Sequence, residues 1–231
     1  MMKKKYKDPW HKRLEMDLQL LTDFSKNSPM IEFKGLNGSD VIPPNEYEIT
    51  YKVKSIVSIN EDQSPNYGEE HKVKIVLPQG YPMLSSPSCY AITQTWHPNI
   101  RSSGKFEGHI CINAHVLGFW HTLDLLVEQI GEMLQYKNYH AEQIQPYPED
   151  PIVAKWVKNY AEPNGIVDKA KGISTDNRPL LNVSNEWENS RNQTNKINIH
   201  DIRLKSSKKK QPPSETKSDK GIKIKSKIKI S

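Results

Sequence analysis

Residues 96–113 read WHPNIRSSGKFEGHICIN, and this stretch decides how the rest of the chain is interpreted. It lies within a longer segment, Pro78 to Trp120, that is rich in Pro, Gly, Ser, His and Asn and shows little periodicity of apolar residues. A loop of this length is uncommon inside a compact domain and is usually functional. We therefore expect the candidate active residues to lie in this loop.

The residues outside the loop predict helices and strands in a definite order. Apolar side chains at helical spacing predict helices, and alternation of apolar with polar side chains predicts strands. In chain order these elements are a helix at 9–25, strands at 30–34, 47–54, 72–77 and 89–93, a helix at 123–134 with Thr122 as its N-cap, and a short helix at 151–160. Residues 63–68 are predicted to form the hairpin loop between the second and third strands. The pattern predicts an α+β fold with an N-terminal helix, a four-stranded antiparallel meander and C-terminal helices.

Charge is unevenly distributed along the 231 residues. The chain carries 33 Lys and Arg against 27 Asp and Glu, a net charge of +6, and its mean hydropathy is −0.76. Residues 201–231 hold 11 Lys and Arg against 3 Asp and Glu, which leaves a net charge of −2 for residues 1–200. We expect a folded domain at 7–162 and a low-complexity, Lys-rich, disordered basic tail at 163–231. Nucleic-acid binding is therefore not expected of the domain and is left open only for the tail.

The lengths of the apolar runs and the number of cysteines indicate in which cellular compartment the protein is expected. No run of 18 apolar residues is present, so no transmembrane helix is expected. The basic residues 1–7 lead into an amphipathic stretch and not into the apolar core of a signal peptide. Cys89 and Cys111 cannot build a disulfide framework, and Cys89, in a predicted strand, is interpreted as a buried apolar residue. We expect a reducing, cytoplasmic location and no association with a membrane.

Cys111 is the loop residue with the strongest potential for covalent chemistry. A thiolate is a strong nucleophile, and the amide of Asn99 could steady the oxyanion that forms when the thiolate attacks an acyl group. The residues alone leave four alternatives open: a small buried apolar Cys111, a cysteine hydrolase with a histidine partner, a zinc site made of His97, His109, Cys111 and His115, and a purely peptide-binding surface. No Cys-x-x-Cys or His-x-x-x-His pair supports the zinc site.

Several short motifs occur in the order typical of one known family. They are LPQGYP at 77–82, Pro87, WHPNI at 96–100, GHICIN at 108–113, Trp120 and PEDP at 148–151. Together with the predicted order of helix, meander, loop and helices, they resemble the ubiquitin-conjugating enzyme (UBC) family over about residues 7–162. The resemblance implies a UBC-like fold and an enzyme that carries a ubiquitin-like protein as a thioester on Cys111 and transfers it to a lysine amine.

The resemblance also implies roles for individual residues. Cys111 matches the cysteine that accepts the acyl group, Asn99 the asparagine that stabilises the oxyanion or shapes the loop, and Asp150 the acidic residue near the incoming lysine. The resemblance also implies a structural role in the active-site loop for six further residues, which are His97, Pro98, Tyr81, Pro82, Asn113 and Trp120. No metal and no cofactor are implied, because the activating enzyme consumes the ATP. The implied partners are a ubiquitin-like protein, its activating enzyme and a lysine of a target protein.

The chain departs from the common eukaryotic pattern of the family at three places. Asn99 and Cys111 are twelve residues apart, several more than usual, because of the insertion at 104–108. Asn113 stands where Asp is usual, and HTL at 121–123 replaces the Ser-Pro-Ala segment that docks RING-type ligases. These differences leave open whether a ligase is recognised.

Two strings after the loop, GEMLQYKNYH at 131–140 and AKW at 154–156, resemble the bacterial branch of the family. That resemblance implies a bacterial conjugation system encoded together with a ubiquitin-like protein, an activating enzyme and a JAB-type peptidase, and in some cases acting in anti-phage (antiviral) defence. The alternative left open is a catalytically inactive UBC-fold scaffold that binds a ubiquitin-like protein. In that case, replacing Cys111 by Ala would leave function intact.

Overall fold

The fold begins with the predicted N-terminal helix. The structure, a computed structural model, describes residues 8–112 and 122–175. Helix α1 spans Pro9–Asn27, and the Asp8 side chain caps it by accepting a hydrogen bond from the Trp10 amide at 3.0 Å. Its buried apolar residues are Leu14, Leu21 and Phe24. The helix predicted at 9–25 is confirmed, and it continues for two further residues.

Six strands follow, and four of them form the predicted antiparallel sheet. The strands are β1 (Ile31–Gly35), β2 (Glu46–Tyr51), β3 (Ser55–Ile59), β4 (Pro65–Gly68), β5 (His71–Val76) and β6 (Ser88–Ala91). The four-stranded sheet has the order β1-β2-β5-β6, and β3 pairs with β4 in a separate hairpin. The sheet therefore confirms the predicted four-stranded architecture and adds a hairpin between its second and third strands.

The β3–β4 hairpin corrects the interpretation of residues 63–68 as a loop. The turn begins earlier, where the Asn60 amide donates a hydrogen bond to the Ser64 carbonyl at 2.9 Å. The next four residues, Pro65–Gly68, then pair with β3. The strand was not predicted because its side chains are polar and typical of turns. Pairing with β3 stabilises this strand, and an alternation of apolar and polar side chains does not.

Strand β2 shows why the sheet has one buried face and one charged face. Its inward residues are Tyr47, Ile49 and Tyr51. The Tyr51 hydroxyl donates a hydrogen bond to the Val127 carbonyl at 3.0 Å, which places helix α2 (Leu123–Leu134) over the buried face. On the opposite face, Glu48 pairs with Lys34 at 3.0 Å. The core therefore lies between the sheet and α2, which spans the residues predicted for it.

The last described elements complete a second part of the core. Helix α3 (Pro151–Trp156) continues into one π-helical turn (Val157–Ala161), and strands β7 (Val167–Asp168) and β8 (Gly172–Ile173) follow. The helix predicted at 151–160 is therefore one α-helical and one π-helical segment. Val167 and Ile173 are buried in a hydrophobic cluster with Tyr136 and Trp156. Packed residues thus continue beyond the predicted domain boundary at 162, because these two apolar side chains complete the cluster.

Some predicted features lie outside the described residues. They are the loop roles of Asn113 and Trp120 and the disorder of the tail from residue 176 onwards. These features stay predictions. Among the helices of residues 8–112 and 122–175, none is both long and apolar enough to span a membrane.

Candidate active site

The first part of the loop after β6 is anchored in the protein interior. His97 is fully buried, and its Nδ1 accepts a hydrogen bond from the Asn99 amide at 3.1 Å. Burial lowers the pKa of His97 to about 3, so its ring is neutral at pH 7. Pro98 is also buried, and its carbonyl accepts a hydrogen bond from the Asp150 amide at 2.9 Å. Both residues are therefore buried and hydrogen-bonded to backbone amides near the loop. This is where a structural role would place them.

The chain between Asn99 and Cys111 folds back on itself. The Arg101 amide donates a hydrogen bond to the His109 carbonyl at 3.0 Å, and the Gly108 amide donates one to the Arg101 carbonyl at 2.8 Å. The Cys111 amide then donates to the Asn99 carbonyl at 2.9 Å. The additional residues of the twelve-residue spacing are taken up in an exposed turn, and Asn99 and Cys111 lie side by side.

The side-chain amide of Asn99 is held at both of its polar ends. Its Oδ1 accepts a hydrogen bond from the His140 amide at 2.8 Å, and its Nδ2 donates to the Cys111 carbonyl at 3.4 Å. Asn99 is 6 % exposed, so little water competes for these contacts. The His140 contact fixes which end of the amide faces Cys111. The donor end of Asn99 therefore faces the backbone carbonyl of Cys111.

The two cysteines lie in different environments. Cys89, in β6, is 1 % exposed, whereas Cys111 is half-buried. Burial and then the charge of Glu149 raise the pKa of the Cys111 thiol, and burial also raises the pKa of Cys89. Cys111 is therefore the more exposed of the two cysteines, and Cys89 occupies the buried position predicted for it.

The Asp150 carboxylate is buried, and both of its oxygens accept hydrogen bonds. Oδ2 accepts from the Ser102 amide and hydroxyl at 2.9 and 2.6 Å, and Oδ1 accepts from the amides of Ile152 and Val153 at 3.0 and 3.1 Å. Burial alone would raise the pKa of Asp150, but these hydrogen bonds outweigh burial and lower the pKa. Asp150 thus caps helix α3 and fastens the loop to it. These contacts are those of a residue that positions the loop, and the role of Asp150 near an incoming lysine stays a prediction.

Glu149 is a site residue that sequence reasoning missed. Its Oε1 lies 3.4 Å from Arg101 Nη2 and 3.3 Å from His109 Nδ1, and its side chain is 17 % exposed. Its charge contributes to the raised pKa of Cys111, so it belongs to the electrostatic environment of that thiol. The PEDP motif contains Glu149 next to Asp150, but no sequence pattern indicates which of the two carboxylates is the more buried.

The turn after β5 is tied to helix α1. Tyr81 is buried, and its hydroxyl accepts a hydrogen bond from Arg13 Nη2 at 3.0 Å. Arg13 also pairs with the buried Asp17 at 2.8 Å. Pro82 follows Tyr81 across a cis peptide bond. The predicted structural residues Tyr81 and Pro82 are therefore held against helix α1, 30 and 29 residues before Cys111 in the chain.

The zinc alternative includes a residue that the structure does not describe. His115 lies within the undescribed residues 113–121. Among the described residues, no group of three or more His, Cys, Asp and Glu side chains is placed to hold a metal ion. Of the remaining candidate ligands, His97 is buried against Tyr136 while His109 pairs with Glu149.

Replacing Asp150 by Ala should destabilise the protein by about 2–4 kcal/mol, because a helix cap and charge-assisted hydrogen bonds are lost together. Its pKa is lowered in the folded state, so its contribution is fully present above the ordinary pKa of about 3.9 and is lost as pH falls through the folded value. Urea unfolding at several pH values measures the difference, which should shrink below about pH 4. Asp40→Ala, at an exposed position, is the control and should change stability by less than about 0.5 kcal/mol. An equal loss in both variants would contradict the role of Asp150.

Two comparisons with known proteins bear on this site. The family profile described as "Ubiquitin-conjugating enzyme" matches residues 38–171, which is more than half of the chain. The curated protein "Ubiquitin-conjugating enzyme E2 N" from Macaca fascicularis is 28 % identical over 115 residues, which are 46 % of this chain and 65 % of that relative. The chain therefore spans less than two thirds of the length of this relative. By the family match over most of its described fold, the chain belongs to the ubiquitin-conjugating enzyme family.

Proposed function

We propose that this protein carries a ubiquitin-like protein as a thioester on Cys111 and passes it to the amine of a lysine. The observation that carries the proposal is the pairing of Asn99 with Cys111. The backbone hydrogen bond between them is 2.9 Å long, and the Asn99 amide is aimed at the Cys111 carbonyl from 3.4 Å. A half-buried thiol beside a fixed amide donor is an arrangement suited to acyl transfer.

The first step is an exchange between two thioesters. The Cys111 thiolate attacks the acyl carbon of the modifier on the activating enzyme, a new C–S bond forms, and the thiolate of the activating enzyme leaves. Bonds of the same kind are made and broken, so the step is nearly balanced in free energy. Because burial and Glu149 raise the pKa of Cys111, we expect the rate of this step to increase with pH as the thiolate fraction grows.

The second step is attack by an amine. The neutral lysine nitrogen bonds to the acyl carbon and loses one proton to solvent, the C–S bond to Cys111 breaks, and the sulfur leaves as a thiolate. The Asn99 amide has two N–H hydrogens, and only one is needed for the Cys111 carbonyl. We propose that the other donates to the oxyanion of the tetrahedral intermediate. Asp150 acts by holding the loop in place.

The partners follow from this chemistry and from the name of the relative. We propose a ubiquitin-like modifier, an activating enzyme that loads it with ATP, and a target lysine. A bacterial setting, with a JAB-type peptidase and a role in antiviral defence, belongs to the proposal through the strings at 131–140 and 154–156. A cytoplasmic location is proposed from the cysteine count, since the thiol of Cys111 must stay reduced.

A charging assay tests the proposal. The protein is mixed with the activating enzyme and the ubiquitin-like protein encoded beside it, together with ATP, and is analysed on non-reducing gels with and without added thiol. We expect an adduct that thiol removes, that is absent in Cys111→Ala and that persists as a thiol-resistant oxyester in Cys111→Ser. Cys89→Ala is the matched control and should still be charged, because Cys89 is buried. Absence of an adduct when the activating enzyme itself is charged would contradict the proposal.

The scaffold alternative is favoured by one observation. The raised pKa of Cys111 makes the resting thiol a weak nucleophile at neutral pH. A non-catalytic module would bind the ubiquitin-like protein with equal affinity whether residue 111 is Cys or Ala. Isothermal titration of both forms with the modifier, alongside the charging assay, separates the two functions.

A further inference from the structure

The β7–β8 hairpin lies beyond the predicted domain boundary at 162, and we propose that it is a positioning element for Asn99. The hairpin holds residues 135–142, and one amide of that segment, that of His140, orients the Asn99 side chain. The inference rests on the proposed function in one respect, the role of Asn99 as a donor to the oxyanion. Two sets of contacts join the hairpin to residues 135–142.

The first set of contacts lies between β8 and the end of helix α2. The Ile173 amide donates a hydrogen bond to the carbonyl of Gln135, the C-cap residue of α2, at 3.1 Å. Gly172 approaches the same carbonyl so closely that a Cβ atom at this position would lie 2.5 Å from its oxygen. Gly172 also has a φ of 85°, a backbone conformation that favours glycine. Strand β8 therefore packs directly against the end of α2.

Tyr136 connects the end of α2 to the loop that carries Asn99. It is fully buried, and its φ of 60° is one that an aromatic residue keeps only where the surrounding structure holds it. Its hydroxyl donates a hydrogen bond to the Trp96 carbonyl, and its ring centroid lies 4.6 Å from that of His97. Since His97 Nδ1 accepts a hydrogen bond from the Asn99 amide, a displacement of Tyr136 would move the backbone of Asn99.

The second set of contacts starts at the turn of the hairpin. Lys169 Nζ lies 3.7 Å from Glu142 Oε1 and 5.8 Å from the centroid of the Tyr139 ring. The other carboxylate oxygen of Glu142 lies 3.1 Å from His140 Nδ1. The turn therefore holds the chain on both sides of His140, whose amide donates to Asn99 Oδ1 at 2.8 Å.

These contacts matter because a donor to an oxyanion acts only when it is correctly placed. A displacement of about 1 Å in an active site can slow a reaction by about 10²-fold. The hairpin acts through residues 135–142 and not on the reacting atoms. We therefore expect it to change the rate at which the thioester reacts, and not the binding of the lysine.

Gly172→Ala should slow discharge of a preformed Cys111 thioester to free lysine by about 10- to 10²-fold, because the added Cβ displaces Gln135 and the segment that follows it. The loss should appear in kcat at an unchanged KM for lysine. Gly165→Ala is the matched control, since Gly165 has a φ of 64° but nothing within 4 Å of the position of its Cβ. It should keep the wild-type rate.

A second pair of variants leaves the buried cluster unchanged. Lys169→Glu places a carboxylate beside Glu142 and should slow discharge by about 2- to 5-fold, the size of effect expected from a partly exposed pair of charges. Lys171→Glu makes the same change of charge at an exposed position of the same turn, and it should keep the wild-type rate. If Gly172→Ala does not fold, this pair decides between the outcomes.

A double variant shows whether the hairpin acts through Asn99. Discharge in Gly172→Ala combined with Asn99→Ala should be no slower than in Asn99→Ala alone, because the group that the hairpin positions is already absent. A hairpin that only supports the fold would slow discharge by the same factor whether or not Asn99 is replaced. Lys169→Glu combined with Asn99→Ala is measured in the same way.

NMR spectra of the uncharged full chain test the inference without any partner. The side-chain amide signals of Asn99 are recorded below the melting temperature of every variant. We expect them to shift in Gly172→Ala and Lys169→Glu and to stay in place in Gly165→Ala and Lys171→Glu. Charging of the wild-type chain tests the proposed function separately. Asn99 signals that stay unchanged in folded Gly172→Ala and in Lys169→Glu, or losses of discharge that are equal with and without Asn99→Ala, overturn the inference.

Discussion

Replacing Asn99 by Ala should slow discharge of the modifier from Cys111 to free lysine by about 10²- to 10³-fold, the range seen when one oxyanion donor is removed. The amide is buried and oriented by the His140 hydrogen bond at 2.8 Å, so its donor end already faces the backbone of Cys111 before the reaction begins. A preformed thioester is separated from the activating enzyme, lysine is added, and its decay is followed on non-reducing gels. Charging also passes through a tetrahedral oxyanion, so its rate is measured separately for each variant.

Asn99→Asp separates the oxyanion role from the role in shaping the loop. An aspartate oxygen can still accept the His140 amide, so this variant keeps the contact that orients the side chain. It lacks the N–H donor and brings a negative charge to the place where an oxyanion would form. We expect discharge to stay as slow as in Asn99→Ala. If Asn99→Asp recovers the wild-type discharge rate, the amide serves only to hold the loop.

The pairing of Asn99 with Cys111 could be predicted from the order of motifs, but its geometry could not. The twelve-residue spacing raised the question of whether the two residues still meet. One backbone hydrogen bond of Arg101 with His109 and one with Gly108 answer this question, because they fold the intervening residues into an exposed turn. Such pairing is a property of the tertiary structure, and no local pattern of apolar residues encodes it.

The two acids of the PEDP motif show where sequence reasoning reaches its limit. Asp150 precedes Pro151, a position at which an acidic residue commonly caps a helix. The resemblance assigned Asp150 to the lysine site, and that assignment stays a prediction. The structure adds that Asp150 caps α3 and accepts hydrogen bonds from Ser102, which lies 48 residues earlier in the chain and could not be paired with it from sequence. Glu149 was missed for the same reason, because its partners Arg101 and His109 lie 48 and 40 residues earlier in the chain.

Helices and strands were predicted best where the periodicity of apolar residues was strong. Helices α1 and α2 and the alternating strands β2 and β5 matched their predicted positions closely. The short strands Pro65–Gly68 and Val167–Asp168 were missed because two to four residues are too few to show alternation. Each depends on a partner strand, and Val167 is fixed by apolar contacts with distant parts of the chain.

Replacing Gly108 by Ala should destabilise the active-site loop by about 2–4 kcal/mol, since backbone strain and a steric clash occur together. Gly108 has a φ of 81°, and a Cβ atom there would lie 2.5 Å from the Ala91 carbonyl oxygen. This oxygen belongs to β6, whose pairing with β5 restricts how far it can move. Urea unfolding and the rate of Cys111 charging, measured together, test the prediction.

Gly104→Ala is the matched control for this prediction. Gly104 has a similar φ of 85°, but nothing lies within 4 Å of the position that its Cβ would take. We expect its replacement to cost only about 1–2 kcal/mol, the strain of the backbone alone, and to leave charging nearly unchanged. The Gly108 carbonyl accepts a hydrogen bond from the Ala91 amide at 2.7 Å, so a displacement at Gly108 also shifts Cys111, three residues later. Charging should therefore fall in Gly108→Ala even under conditions in which the protein stays folded. Equal effects of the two replacements on charging would show that the close approach of Gly108 to β6 does not hold Cys111 in place.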